Sequence, residues 1–173
     1  MKVVIAPYNN RVEKLTRLVQ AYQKTLMNLC YMYLHDRELA KDAVQETFLK
    51  AYRAIDTFRG ESGENTWLTR IALNTCRDMK RSAWHIHVNR SITPEDISCT
   101  AEEHLNLDSL DLANAIIQLP DKYKEVILLH YYQEMSLADI ASIIGITKSM
   151  VSRRMKKAHA LLYNVLGEEY QHG

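Results

Sequence analysis

Apolar residues recur at three- and four-residue spacing along most of this chain, the period of a helix with one buried face. Leu15, Leu18, Val19, Tyr22, Leu26 and Leu29 form the first such stripe. Ala40, Val44, Phe48, Ala51 and Ile55 form the second, and Asp36 stands where a helix N-cap belongs. The stretch "FRGESGENT" (58–66) breaks the pattern with two glycines and several polar residues, so a loop is expected there. Helix resumes over 66–81, with Thr66 as its candidate cap and Trp67, Ile71, Thr75 and Met79 on one face. "LDLANAIIQLP" reads as a helix ended by Pro120, and "DKYKEVILLHYYQEM" as another capped by Asp121. Then come "SLADIASIIG" and "TKSMVSRRMKKAHALLYNVLG". No segment alternates cleanly enough for a strand, so the expected fold class is all-α.

Charge divides this helical chain into parts. Its 173 residues hold 22 Lys+Arg and 21 Asp+Glu, yet residues 1–81 carry 14 cations against 9 acids. Residues 82–112 carry one cation, Arg90, and six acids, and few apolar residues. Two small helical domains, 1–81 and 113–173, are therefore expected, joined by an acidic linker over 82–112. The part from 101 to 112 also reads as a short acidic surface helix.

Several function classes lose support at this point. No run of eighteen apolar residues exists, so nothing is expected to span a membrane. The start is too briefly apolar for a secretory signal. Cys30, Cys76 and Cys99 fit neither a disulfide framework nor a zinc pattern, and a reduced, cytoplasmic protein is expected. His85 and His87 could suggest a metal pair with Cys76 or His104. At i, i+2 they leave a helix on different faces, and no carboxylate cluster supports them. No glycine-rich phosphate loop or nucleophile motif occurs. Neither an enzyme nor a metal or other cofactor is expected.

The most informative pattern is near the end. From Ser142 to Ala158 the chain holds five cations and no acid. Ser136 can cap a short helix, Ala141 is small where two helices would cross, and Gly145 follows four residues later, where a tight turn needs a left-handed backbone. Ile140, Ile144, Ile146, Val151 and Met155 supply a small core, and Thr147 or Ser149 can cap the second helix. These offsets are those of a helix-turn-helix. Val151, Met155, Ala158 and Leu162 face inward, while Lys148, Ser149, Ser152, Arg153, Lys156 and Lys157 lie on the outer arc. A recognition helix needs that division, because its outer side chains must reach base edges and phosphates in the major groove.

A second polar face precedes it. Arg70, Asn74, Arg77 and Arg81 fall at i, i+4, i+7 and i+11, with Lys80 beside them. The loop at 58–66 lies just ahead. A basic helix next to a donor-rich loop suits a strand with unstacked bases. In isolation a solvated helix explains the same residues equally well. Gln45 and Glu46 leave the second apolar stripe on a polar side, which alone signifies little.

Together, "DAVQETFLKAYRAIDTFRGESGENTWLTRIALNTCRDMKR" and "LPDKYKEVILLHYYQEMSLADIASIIG" resemble a bacterial RNA polymerase sigma factor of the extracytoplasmic-function subfamily, within the sigma-70 family. The resemblance covers roughly residues 12–165, in two blocks with a linker between. It implies a promoter-specificity subunit that binds core RNA polymerase and promoter DNA. Asp42, Gln45 and Glu46 would dock on the polymerase's largest subunit. Phe58, Arg59, Ser62 and Asn65 would belong to a loop that captures a flipped −10 base. Trp67, Arg70 and Asn74 match the motif behind that loop, and Arg77, Lys80 and Arg81 would contact the −10 backbone. The second domain would sit on the second-largest subunit and read the −35 element through Lys148, Ser149, Ser152, Arg153, Lys156 and Lys157. An anti-sigma factor is the expected regulator. Met150 departs from the family, which usually carries Thr there, and Arg154 falls near the flank of the helix. The competing reading is a stand-alone helix-turn-helix regulator, which would leave residues 36–81 unexplained.

Overall fold

The computed structural model describes residues 7–89 and 107–170. All its elements are helical: α1 (Pro7–Leu34), α2 (Arg37–Ala54), α3 (Glu64–Asn89), α4 (Leu107–Gln118), α5 (Asp121–Ile127), α6 (Leu137–Ile144) and α7 (Lys148–Tyr170). Helix α5 runs on into a wider π-helical turn over Leu128–Tyr132, closed by the Gln133 amide donating to the Leu128 carbonyl at 3.2 Å.

Helices α1, α2 and α3 pack into one bundle, and α4 to α7 into another. Both expected stripes are inside. Leu18, Leu26 and Leu29 are buried on α1, and Ala40, Val44, Phe48, Ala51 and Ile55 on or just after α2. Asp36 caps α2, its Oδ1 accepting the Leu39 amide at 2.8 Å. Of the face formed by Trp67, Ile71, Thr75 and Met79, only Thr75 is fully inside the core. Leu68, Ala72, Leu73 and Cys76 are fully or almost fully buried, whereas Trp67, Ile71 and Met79 are only half-buried at the core's edge. The apolar arc of this helix is wide, and its aliphatic side won.

Three boundaries move. Helix α3 starts at Glu64, so Thr66 lies inside its first turn, buried, and is no cap. The loop is correspondingly shorter, 58–63. An ion pair explains this: both nitrogens of the Arg17 fork on α1 donate to Glu64, which also complements the helix N-terminus. Pro120, not Asp121, holds the N-cap position of α5, where its ring has no polar group to offer, and Asp121 accepts from Lys80 instead. The presumed linker is helical at both ends, through Asn89 and from Leu107 onward. Its middle, 90–106, lies outside the described residues.

The second bundle is built around the turn between α6 and α7. Ser136 caps α6 by accepting the Asp139 amide at 3.2 Å. Gly145 ends it with φ +72°, and the amides of Gly145 and Ile146 both donate to the Ala141 carbonyl. Thr147 Oγ1 accepts the Met150 amide at 3.3 Å, so Thr147 rather than Ser149 caps α7. Val151, Met155, Ala158 and Leu162 are buried beneath it.

The two bundles touch along α1 and α3, which meet the π-helical turn and α6, and their buried residues form one continuous cluster.

Gly145 in this turn and Gly63 in the loop before α3 separate backbone strain from packing. Neither has any atom within 4 Å of a built Cβ, but only Gly145 is left-handed. Gly145→Ala should therefore cost about 1 kcal/mol through backbone strain alone, lowering Tm by about 2–4 °C for a chain this long. Gly63→Ala should be neutral or slightly stabilising in the same thermal melt.

Candidate nucleic-acid interface

Three surfaces gather the candidate residues. The first is a pocket at the start of α3. The rings of Phe58 and Trp67 stack with centroids 4.5 Å apart and planes 23° from parallel. Together with Thr57, Arg59, Glu61 and Ser62 they line a cavity of about 190 Å³, of the order that takes a single aromatic ring. The lining combines two aromatic rings with two hydroxyls, one cation and one carboxylate. Gly60 gives the loop its bend, with φ +72°. The Arg17 guanidinium holds the Glu64 carboxyl below the usual carboxylate range by hydrogen bonding to it, so the end of the loop is pinned to α1 in its charged form.

Asn65 is not among the lining residues. It sits in the first turn of α3, its Oδ1 accepting the Thr69 hydroxyl at 3.4 Å. Thr57 and Glu61 were missed in the sequence. Thr57 lies between the second apolar stripe and the loop, and its hydroxyl donates back to the Ala54 carbonyl.

The second surface is the basic face of α3. Arg70, Asn74, Arg77, Lys80 and Arg81 do share one side, but this face meets the other bundle. Arg77 makes a two-pronged bond to Glu125 on α5, Nε to Oε1 at 2.8 Å and Nη2 to Oε2 at 2.7 Å. Glu125 is buried and also accepts the Tyr33 hydroxyl at 3.2 Å. Lys80 reaches Asp121 at 2.6 Å and lies over the Tyr33 ring at 5.5 Å. Arg70 donates to the Ser142 hydroxyl on α6 at 2.8 Å. Asn74 is exposed and accepts from Arg77, while Arg81 pairs with Asp78 one turn back.

The electrostatics follow from that geometry. Hydrogen bonding to the Glu125 carboxylate raises the Arg77 pKa above its ordinary value, and Tyr33 is pushed far up by burial and then by the same carboxylate. Lys124, buried beside Lys80, is shifted down by burial and then by that neighbouring cation.

The third surface is the outer face of α7. Lys148, Ser149, Arg153, Lys156 and Lys157 are exposed and Ser152 is half-buried, opposite the buried stripe. None of these four cations makes an ion pair with a described residue. Met150 is exposed and Arg154 half-buried at the flank.

Asp42 and Gln45 are exposed on α2, away from both basic faces in sequence, and Glu46 is half-exposed with Lys50 3.9 Å away. Leu49 stands beside them, one turn on from Gln45, and is 51% exposed. The sequence signal for it was available: an apolar residue off the buried stripe.

Cys76, considered as a metal ligand, is fully buried between α1 and α3. A hydrogen bond with Cys30 and then burial push its thiol far up, which keeps it protonated. Among the described residues no His, Cys, Asp and Glu group could hold a metal ion. Also among them, no helix is long and apolar enough to cross a membrane.

Comparison with known proteins agrees with this division. The family described as Sigma-70 region 2 matches residues 18–86, and Sigma-70, region 4 matches residues 109–162. The RNA polymerase sigma-H factor of Pseudomonas aeruginosa is 30% identical over 168 residues, covering 87% of each chain. The ECF RNA polymerase sigma-E factor of Haemophilus influenzae is 32% identical over 85% of this chain and 84% of its own. The sigma factor RpoE of Bartonella quintana, solved with the anti-sigma factor NepR, shares the fold with a TM-score of 0.74 at 23% identity, over 90% of this chain and 95% of that one.

The two sides of α7 should respond differently to substitution. Met155→Asp buries an unpaired carboxylate and should unfold the second bundle. Arg153→Ala and Lys157→Ala should each stay within about 0.5 kcal/mol of wild type, since both side chains are exposed. Urea titration followed by circular dichroism distinguishes them.

Proposed function

Because the chain belongs to the extracytoplasmic-function branch of the sigma-70 family of RNA polymerase sigma factors, we propose a division of its promoter work among these three surfaces and the polar side of α2. It is a promoter-specificity subunit that binds core RNA polymerase and promoter DNA. It catalyses nothing itself and acts in the cytoplasm alongside the polymerase. The polar side of α2, with Asp42, Gln45, Glu46 and the neighbouring Leu49, docks on the largest subunit. The Phe58–Trp67 pocket takes one −10 base flipped from the stack, and the basic face of α3 holds the strand around it. The outer face of α7 enters the −35 major groove while the second bundle rests on the second-largest subunit. An anti-sigma factor is the proposed regulator, as in the Bartonella quintana complex.

One observation carries this reading. The stacked pocket at the end of the loop leads into a helix whose polar side is cationic. A flipped base needs an aromatic wall for its face, polar groups for its edge and cations for the flanking phosphates. The stand-alone regulator accounts for α6 and α7 but gives the first bundle no task.

Docking is tested by Glu46→Lys. The change removes an exposed i, i+4 pair with Lys50 and replaces it by repulsion, which costs under about 0.5 kcal/mol of stability. Core-polymerase binding should nonetheless fall several-fold in a pull-down. Equal binding by the variant removes α2 from the docking surface.

Promoter reading is tested on holoenzyme with a panel of −35 and −10 variants at several salt concentrations. Arg153→Ala should change −35 discrimination by about 1–3 kcal/mol if it pairs with a base. Lys157→Ala should weaken all sequences alike and reduce the salt slope by about one. Exchanging loop 58–63 should change the preferred −10 base. Unchanged choice after the exchange would rule the pocket out as the −10 reader.

A further inference from the structure

The pocket loop takes its position from its two ends. Its middle is open: a Cβ built on Gly60 or Gly63 would meet no atom within 4 Å, and Arg59, Gly60, Glu61 and Gly63 are exposed. Local bonds close the ends. The Thr57 and Phe58 amides donate to the Ala54 carbonyl at 3.0 and 3.2 Å, and the Trp67 amide donates to the Gly63 carbonyl at 3.0 Å. These bonds set the shape of each end but not the distance between the ends. The Phe58–Trp67 stack depends on that distance, because one ring stands on the α2 side of the loop and the other on α3.

Helix α1 reaches both sides. Near its start, Arg11 holds the last turn of α2. Its Nη2 donates to the Tyr52 carbonyl at 2.7 Å, its Nε lies 3.1 Å from the Asp56 carboxylate, and its guanidinium covers the Tyr52 ring at 4.7 Å. Asp56 immediately precedes Thr57, a lining residue of the pocket. Further along α1, both nitrogens of the Arg17 fork hold Glu64, the first residue of α3. A cation thus meets the carbonyl end of one helix and an acid stands at the amide end of the next, each the favourable sign for its terminus. Both arginines belong to one continuous helix, so the two ends of the loop are referred to the same element. A fork bond constrains direction as well as distance.

We propose that Arg11 and Arg17 are positioning residues for −10 base selection: they brace the pocket loop from α1 at both ends and keep the Phe58–Trp67 wall formed before a base arrives. Neither arginine touches the base, and each acts through the residues it holds. A pocket kept in one shape does not adjust to the wrong base, and it takes the right one without the cost of ordering the loop. The inference rests on the reading of this pocket as the −10 reader.

The experiment uses the full chain carrying Arg17→Ala, Arg11→Ala, Glu64→Ala, or the charge swap Arg17→Glu with Glu64→Arg. Acrylamide quenching of Trp67 fluorescence reads the pocket wall without DNA. The chain has two tryptophans, so Trp84→Phe leaves Trp67 alone. Should that background fail to fold, the same variants are compared with both tryptophans present. Base discrimination is read on holoenzyme with the −10 panel. Each single variant should raise Trp67 quenching and lower −10 discrimination several-fold, while −35 discrimination and core binding stay at wild type. Tm should move little, since the side chains of the Arg17–Glu64 pair are partly exposed. Arg17→Lys keeps the charge but loses the fork, and should fall between wild type and Arg17→Ala. The charge swap should restore part of both readouts. Glu64→Ala separates bracing from direct contact. It removes an acid from beside the proposed DNA path, so an Arg17 acting on a phosphate predicts tighter promoter binding with discrimination intact, and that result overturns the proposal. Unchanged quenching in either arginine variant overturns it as well. If exchanging loop 58–63 leaves the preferred −10 base unchanged, the pocket reading fails, and the bracing with it. If that exchange shifts the base but Arg17→Ala leaves discrimination intact, the bracing alone fails.

Discussion

The arrangement of the two bundles depends on one carboxylate kept from water. Glu125 is 4% exposed, and an ionised carboxylate buried without partners would be among the most unfavourable groups a fold could carry. Its oxygens are met by the Arg77 fork and the Tyr33 hydroxyl, from α3 and α1. Three helices from two bundles are thereby set against one another at a single point. Such pairs add little net stability, because desolvating both charges offsets most of their attraction. Their effect is positional: Arg77 must lie in one plane for both bonds to form. Lys80 follows one turn further along α3, held between the Tyr33 ring and Asp121. The Gln133 amide adds a bond from the π-helical turn to the Thr25 carbonyl on α1 at 3.2 Å.

Much of the fold was legible because helical periodicity and caps are local signals. The two stripes, Asp36, Ser136 and Gly145 are each explained by residues a few places away. The errors arise where a distant residue decides. Thr66 has the chemistry of an N-cap, but Arg17, forty-seven positions from Glu64, draws the helix start back by two residues. Asp121 has the chemistry of a cap as well, and Lys80 on another helix takes it instead. On α3 two apolar arcs compete, and only the shape of the neighbouring helices selects Leu68, Ala72, Leu73 and Cys76 over Trp67, Ile71 and Met79. The candidate site was legible as a set of residue types with correct helical phase. Its present bonding was not, because a cation at helical spacing gives no indication of which acid, some fifty residues on, it will meet.

That limit has a physical meaning for this chain. A surface built to hold nucleic acid must be cationic and rich in directional donors. When no nucleic acid is present, those donors still need acceptors or water. An apolar partner would strand them, whereas an acidic, oxygen-bearing helix satisfies them. The second bundle supplies that helix in α5, whose first turn and middle carry Asp121 and Glu125.

The two surfaces proposed to face DNA therefore differ in more than the element each would read. The α7 face lies over a small apolar core and owes its geometry to Val151, Met155, Ala158 and Leu162 alone. It is formed whether or not the bundles touch, as a helix entering duplex DNA requires. The α3 face is different because its ligand is different. A flipped base and its strand exist only after the duplex has opened, which happens on the polymerase. A surface that is competent earlier would gain nothing for promoter reading and would bind single strands indiscriminately through its cations. Pairing Arg77 and Lys80 within the chain occupies those cations. The cations proposed to follow the DNA backbone thus also join the two bundles.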